Sequence, residues 1–300
     1  MSLKKPIIDK SRFESLKKIA NSSGKSVQTP EIIKSRFEEE TDGVAVTMIN
    51  IGDLHDAPEQ WNFYRPLPED KFCELIYSIV QNGLLHPIVV WEREDGYMIL
   101  AGHNRVRAYR ALKEVAESTQ YDEIPAIIKA RNQIDENKAQ EIIIDTNWVS
   151  RQLTAYEKTN SIIKKYVRIK KDTTAKGKTR DLVGEKLGIT GRMVQNYLSL
   201  RNLETDFFDM IDDAVITLSD AIKISKLPKD LQEYLVTVAK KDGLTNYLIK
   251  NLKNADTTEK IDEIIEDEGR KSDEMVTFTV KIPKSRREEF MKVYSDFIKN

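Results

Sequence analysis

The chain has 300 residues, 40% of them apolar and 32% charged, with a formal net charge of −1. That length predicts about two domains able to bury cores, and the composition excludes disorder as the organising state. No apolar run reaches the ~20 residues of a membrane helix. The Lys-rich start lacks the apolar segment of a secretion signal. One cysteine excludes an internal disulfide, and His55, His86 and His103 are too scattered for a zinc site. The expected setting is the cytoplasm, with no membrane partner.

The near-zero charge hides a partition. From Lys164 to Arg180 stand eight basic residues, Lys164, Lys165, Arg168, Lys170, Lys171, Lys176, Lys178 and Arg180, against Asp172 alone, whereas 254–274 is strongly acidic. Either run alone suits a solvated helix face. The position of the basic run directly before a helical hairpin points to phosphate contact.

In chain order, residues 1–43 read as a flexible arm with only short apolar runs. Alternation over 44–51 predicts a strand. A loop holding Pro58, Asn62, Arg65, Pro66 and Pro68 follows, then a helix over 69–82 with Phe72, Leu75, Ile76, Ile79 and Val80 at helical spacing and Gly83 as its C-terminal stop. Residues 87–91 and 97–100 predict a hairpin turning at Glu94-Asp95-Gly96. A helix from Arg105 and a strand over 124–130 complete a mixed α/β domain at 44–137.

Residues 138–255 read as all-helical. Thr154 and Glu157 form a capping box, and the apolar face behind it includes Ile162, Ile163 and Tyr166. Further helices are expected over 207–211, 218–224, 231–238 and 244–252. The acidic stretch 256–274 reads as a solvated linker broken at Gly269. In 275–300, Val276, Phe278, Val280 and Ile282 alternate as a strand, and after Pro283 a helix carries Phe290, Val293, Tyr294, Phe297 and Ile298 on one face. One strand and one helix cannot bury their apolar faces alone, so the segment either self-associates or docks on the main body.

Two motifs carry chemistry. Residues 98–112 read as strand, glycine turn and helix start. There Gly102 allows a tight turn, the first helix amides point outward, and His103, Asn104, Arg105 and Arg107 add donors suited to phosphate. Arg105 reads as an exposed turn residue whose loss leaves the fold intact. No Gly-Lys-Ser/Thr follows the glycine, so this is not a Walker loop.

The second motif is a helix-turn-helix. Thr179 caps its first helix, Leu182, Val183 and Leu187 face inward, Gly188 takes a positive φ at the turn, and Ile189 packs into the corner. Thr190 caps the second helix, where Val194 and Leu198 are buried while Arg192, Gln195, Asn196 and Ser199 point outward. Such polar residues can reach base edges in the major groove. Thr190 and the preceding Lys170, Lys171, Lys178 and Arg180 can hold phosphate. A plain helical hairpin has the same apolar spacing.

The order of these segments resembles the ParB partition family over roughly residues 44–255. The family's phosphate motif, Gly-Glu-Arg-Arg-x-Arg-Ala, stands here as Gly102-His103-Asn104-Arg105-Val106-Arg107-Ala108. LIYSIVQNGLLHPIVV, from Leu75 to Val90, looks like its helix, glycine turn and strand. Asp145-Thr146-Asn147-Trp148-Val149-Ser150-Arg151, followed by Leu153-Thr154 and Glu157, is similar to its Asn/Arg motif. Leu218, Ala221 and Leu227-Pro228 match its segment after the helix-turn-helix.

The resemblance implies an α+β protein: a ParB/sulfiredoxin-like mixed α/β domain, an all-helical helix-turn-helix domain and a short C-terminal strand-helix segment. It implies a nucleoid-associated, CTP-responsive dimeric clamp on double-stranded DNA, serving plasmid, chromosome or mobile-element partition with a ParA-type ATPase partner. By the resemblance, Gly102, Arg105 and Arg107 contact the triphosphate, and Asn147 and Arg151 hold nucleotide and Mg. His103 and Asn104 replace the family's Glu-Arg, removing one cation. Thr146 stands where a glutamate important for hydrolysis is expected, so a weak CTPase at most is implied.

Two other classes remain open. A helix-turn-helix regulator without a partition role would protect one compact site regardless of nucleotide. A nucleotide-dependent enzyme on the α/β domain needs a carboxylate set, and Asp145 is the only candidate beside the motif; sulfiredoxin-type chemistry needs a cysteine where Asn104 stands.

Overall fold

The computed structural model describes residues 45–116, 119–172, 174, 176–274 and 282–298, divided into two compact units at Arg201 and Asn202. The expected N-terminal arm and the strand at 276–280 lie outside the described residues. Among those described, the architecture is a mixed α/β N-terminal portion followed by a helix-rich remainder.

The first unit is built on a five-stranded sheet of β1 (Thr47–Asn50), β2 (Leu54–His55), β3 (Ile88–Arg93), β4 (Gly96–Ala101) and β5 (Glu123–Lys129), in the order β1-β5-β3-β4-β2. β3 and β4 form the expected antiparallel hairpin, and β3 runs parallel to β5. The strands at its centre read as continuous apolar runs because the sheet is covered on both faces. Ile88, Val90 and Ile99 point into a core with Phe72, Ile76, Val106 and Leu112. The alternate residues Val89, Trp91, Met98 and Leu100 face a second core with Trp61, Tyr64, Ala139 and Ile143.

Helix α1 (Glu69–Asn82) starts after Pro68 with Glu69 and Asp70 in its first turn, where the helix dipole favours acid, and stops at Gly83 with φ 71°. With α2 (His103–Val115) it covers the first face. α3 (Glu136–Ser150) covers the second. α4 (Ala155–Lys171) opens on the expected capping box, Thr154 accepting from the Glu157 amide and Glu157 from the Thr154 amide.

Two nine-residue helices follow, α5 (Thr179–Leu187) and α6 (Gly191–Ser199), joined at Gly188 with φ 67°. With Ile162 they bury Val183, Leu187, Val194 and Leu198. The expected cap of α5 is corrected: Lys178 is the N-cap residue and makes no side-chain cap bond, and Thr179 is the first helical residue.

The second unit holds α7 (Asp206–Asp212), α8 (Leu218–Ile224), α9 (Lys229–Lys241) and α10 (Asn246–Asn251), close to the expected spans. The acidic stretch is not a linker, and Gly269 breaks nothing: residues Thr258–Glu274 are a 17-residue helix, α11. Ile261, Ile264 and Ile265 give it an apolar side, with Ile261 fully buried. Tyr234 and Tyr247 donate to Asp262 and Asp267, and Thr245 donates to Glu268. α12 (Arg287–Ile298) forms after Pro283 as expected, with residues 287–294 exposed.

Candidate functional site

The strand-turn-helix corner is set by one glycine. Gly102 sits at φ 98° as the N-cap of α2, and its carbonyl accepts from the Arg105 and Val106 amides. A Cβ there would meet Ile88 Cγ2 at 2.7 Å, so both the conformation and the space require glycine. Having no side chain, Gly102 cannot cap the amides at the start of α2, which is the local geometry that receives anions.

The side chains of this corner are engaged by the protein itself. Arg105 is not the exposed turn residue expected: its guanidinium is largely buried, and Nη1 donates to the carbonyls of His86 (2.5 Å) and Pro87 (2.8 Å). These two bonds tie the start of α2 to the turn leading into β3. Arg107 lies with Cζ 3.8 Å from the Phe72 ring centroid, and its Nη1 is buried without a hydrogen-bond partner. Burial lowers the pKa of both arginines. His103 is also turned inward: burial pushes its pKa down to about 4, and its Nε2 is buried and unpartnered. It is therefore neutral at pH 7. Asn104 accepts from the Leu67 amide at 3.4 Å.

The Asn/Arg motif occupies the C-terminal end of α3. Asn147 Nδ2 donates to the Ile143 carbonyl and Thr146 Oγ1 to the Ile142 carbonyl, so both side chains bond back along their helix. Arg151 Nη1 donates to the Arg65 carbonyl, and its Nη2 pairs at 3.0 Å with Glu157, which is fully buried. Glu157 also accepts from the Arg65 amide at 2.6 Å. The two motifs thus converge on one short loop: Asn104 binds it at Leu67, Arg151 at Arg65. Sequence reading saw Glu157 only as a capping residue and missed this second role; a carboxylate six residues after an arginine carries no signal of it. Asp145 is paired with the buried Lys165 at 2.6 Å. Among the described residues no group of three or more His, Cys, Asp or Glu could hold a metal ion.

On the α5–α6 pair, Thr190 Oγ1 accepts from the Met193 amide as the expected cap. Arg192 and Gln195 are exposed, whereas Asn196 and Ser199 are half-buried, with Ser199 donating to the Gln195 carbonyl. The helices approach closely because Gly184 and Gly191 have no Cβ: one on Gly184 would fall 2.5 Å from the Ile189 carbonyl oxygen. Lys170, Lys171 and Lys178 are exposed, and Arg180 Nε lies 3.5 Å from Asp181. Lys165, counted in the basic run, points instead into the protein toward Asp145 and Glu141. Trp148 of α3 ties this pair to the Asn/Arg motif, its indole donating to the Leu187 carbonyl at 3.0 Å.

Comparison with known proteins places these features in context. The ParB N-terminal domain family matches over residues 35–147. The chain is 27% identical over 216 residues to the probable chromosome-partitioning protein ParB of Rickettsia conorii, covering 72% of this chain and 64% of that protein. It is 29% identical over 226 residues to the chromosome-partitioning protein ParB of Myxococcus xanthus, covering 74% and 65%. Both alignments therefore span just under two thirds of those relatives. A solved structure of C-terminally truncated ParB from Caulobacter crescentus, complexed to the centromeric parS site, aligns at 20% identity with a TM-score of 0.43 over 70% of this chain and all of that one.

Proposed function

We propose that this chain, whose residues 35–147 match the ParB N-terminal domain family, is a DNA-binding partition protein whose hold on DNA responds to CTP. The observation that carries the reading is that the alignments to two chromosome-partitioning proteins run over 216 and 226 residues, beyond the matched domain. In this reading α5–α6 is the helix-turn-helix. Arg192, Gln195, Asn196 and Ser199 read bases, while Thr190, Lys170, Lys171, Lys178 and Arg180 hold phosphates.

In this reading the triphosphate of CTP sits at the Gly102 corner, against the first amides of α2 and the guanidinium groups of Arg105 and Arg107, which would have to turn from their present contacts to meet it. His103, being neutral, supplies no charge there, and Asn104 acts through the loop it anchors. Asn147, in holding nucleotide and its Mg, and Arg151 would exchange their internal hydrogen bonds for it. That exchange loosens the loop at Arg65, and Trp148 carries the change toward α5. Thr146, bonded back to its own helix, offers no base for water, so binding without efficient hydrolysis is proposed.

Phe290, Met291, Val293 and Tyr294 expose an apolar face on α12, which we assign to homodimerisation. A ParA-type ATPase is the proposed partner and the nucleoid the proposed site of action. No helix among the described residues is long and apolar enough to cross a membrane.

Calorimetric titration with each nucleoside triphosphate tests the reading: CTP alone should bind, and Gly102→Ala should abolish it. Footprinting should show protection spreading from a specific site when CTP is added. A compact footprint indifferent to CTP would instead identify a regulator without a partition role.

A further inference from the structure

We propose that Lys164 and Arg168, on the face of α4 that packs against the 61–65 loop, form a phosphate subsite that grips the DNA backbone without regard to base sequence. This rests on the DNA-binding reading above and adds a contact away from the helix pair. Glu157, Ser161, Lys164 and Arg168 recur at helical spacing along that face. Toward its start, the polar groups are satisfied from within: Glu157 binds the Arg65 amide and Arg151, and Ser161 bonds to the Tyr64 hydroxyl at 2.8 Å.

Further along the face this changes. Arg168 Nη1 is buried and makes no hydrogen bond. Lys164 Nζ lies 5.7 Å from the Phe63 ring centroid. Neither cation has a carboxylate partner among the described residues, whereas Lys165 next door has both Asp145 and Glu141. Burial lowers the pKa of Lys164, and the Arg168 charge lowers it further, so the two cations disfavour one another as they stand. Two adjacent cations, one with a buried unused donor, are matched by a ligand that is anionic and accepts several hydrogen bonds, as a phosphate does. A duplex is the favoured source because exposed Lys170, Lys171, Lys176 and Lys178 continue from this point toward the helix pair, and a duplex presents phosphates in a row.

The test compares the full-length protein with Arg168→Gln and Lys164→Gln against unrelated mixed-sequence duplexes, CTP and inorganic phosphate. Each variant should weaken all duplexes alike, about tenfold at moderate salt, and reduce the slope of log affinity against log salt by about one. CTP titrations should be unchanged. Inorganic phosphate should raise the unfolding midpoint of the parent protein more than that of either variant. Because a like-charge neighbour is removed, neither midpoint should fall without ligand, which separates a binding role from a structural one. Lys164→Gln keeps the test open if Arg168→Gln does not fold.

Unchanged duplex affinity and slope would overturn the proposal. So would a fall in midpoint that tracks the loss of binding. Loss of CTP binding with DNA binding intact would reassign the phosphate to the nucleotide and overturn the DNA contact. A parent protein that binds no duplex would overturn the DNA-binding reading itself, recognisable because no variant comparison is then needed.

Discussion

The arginine corner and the α5–α6 helix pair use their polar residues in opposite ways. At the corner, Arg105 holds two carbonyls, Arg107 lies on Phe72 and His103 turns its Nε2 inward, so the groups that would meet a ligand also hold the fold together. On the helix pair, Val194 and Leu198 do the packing while Arg192 and Gln195 project into solvent. A charged triphosphate needs donors already in place before it arrives, and packing is what fixes them; base reading needs reach and side-chain freedom. Under the proposed function, mutations at the corner should therefore cost stability and binding together, and mutations on the exposed face of α6 should cost binding alone.

The largest expected effect is at Glu157, the buried carboxylate that joins the Asn/Arg motif to the loop. Glu157→Ala should destabilise the protein by about 3–5 kcal/mol, because Arg151 and the Arg65 amide both lose their acceptor. Chemical denaturation would show this, and a loss under 1 kcal/mol would mean the ion pair behaves as a surface one.

His103 comes next. Its folded pKa near 4 lies below the ordinary value of 6.5, so the unfolded chain takes up the proton first. Stability present above pH 6.5 should be lost as pH falls toward 4, on the order of 3 kcal/mol from this residue. In His103→Gln the acid limb of a stability profile should flatten over that window; an identical limb would show that the imidazole is not buried.

Arg105→Ala should cost about 1–3 kcal/mol, since the His86 and Pro87 carbonyls lose their donor. A CTP affinity lost with stability intact would restore the picture of a free surface arginine and erase the contrast between the two regions. The smallest effect on stability is at Gln195. Gln195→Ala should change it by less than about 0.5 kcal/mol while costing about 1–3 kcal/mol of discrimination between DNA sites. Equal weakening on every sequence would remove Gln195 from base reading.

Much of the architecture was legible because its signals are local. The hairpin turn, Gly83 closing α1, Gly102 and Gly188 at positive φ, and the capping box of Thr154 and Glu157 each need only neighbours along the chain. α11 was not legible, because acidic composition argues for solvation and its three isoleucines gain meaning only against the helices that bury Ile261. The destinations of the cations were equally hidden. Lys164 and Lys165 are adjacent in one basic run, yet one ends on an aromatic ring and the other among carboxylates.

The sequence by itself determined the hairpin, the glycine turns, the capping box and the spans of most helices, since these follow from period, caps and turns. Tertiary structure alone decided which charges are spent inside the fold and which remain for ligands. A guanidinium or carboxylate reaches partners tens of residues away in the chain, as Arg151 reaches Arg65 and Arg105 reaches His86. Whether such a group is held or free depends on which surfaces packing brings together, and no spacing along the chain records that.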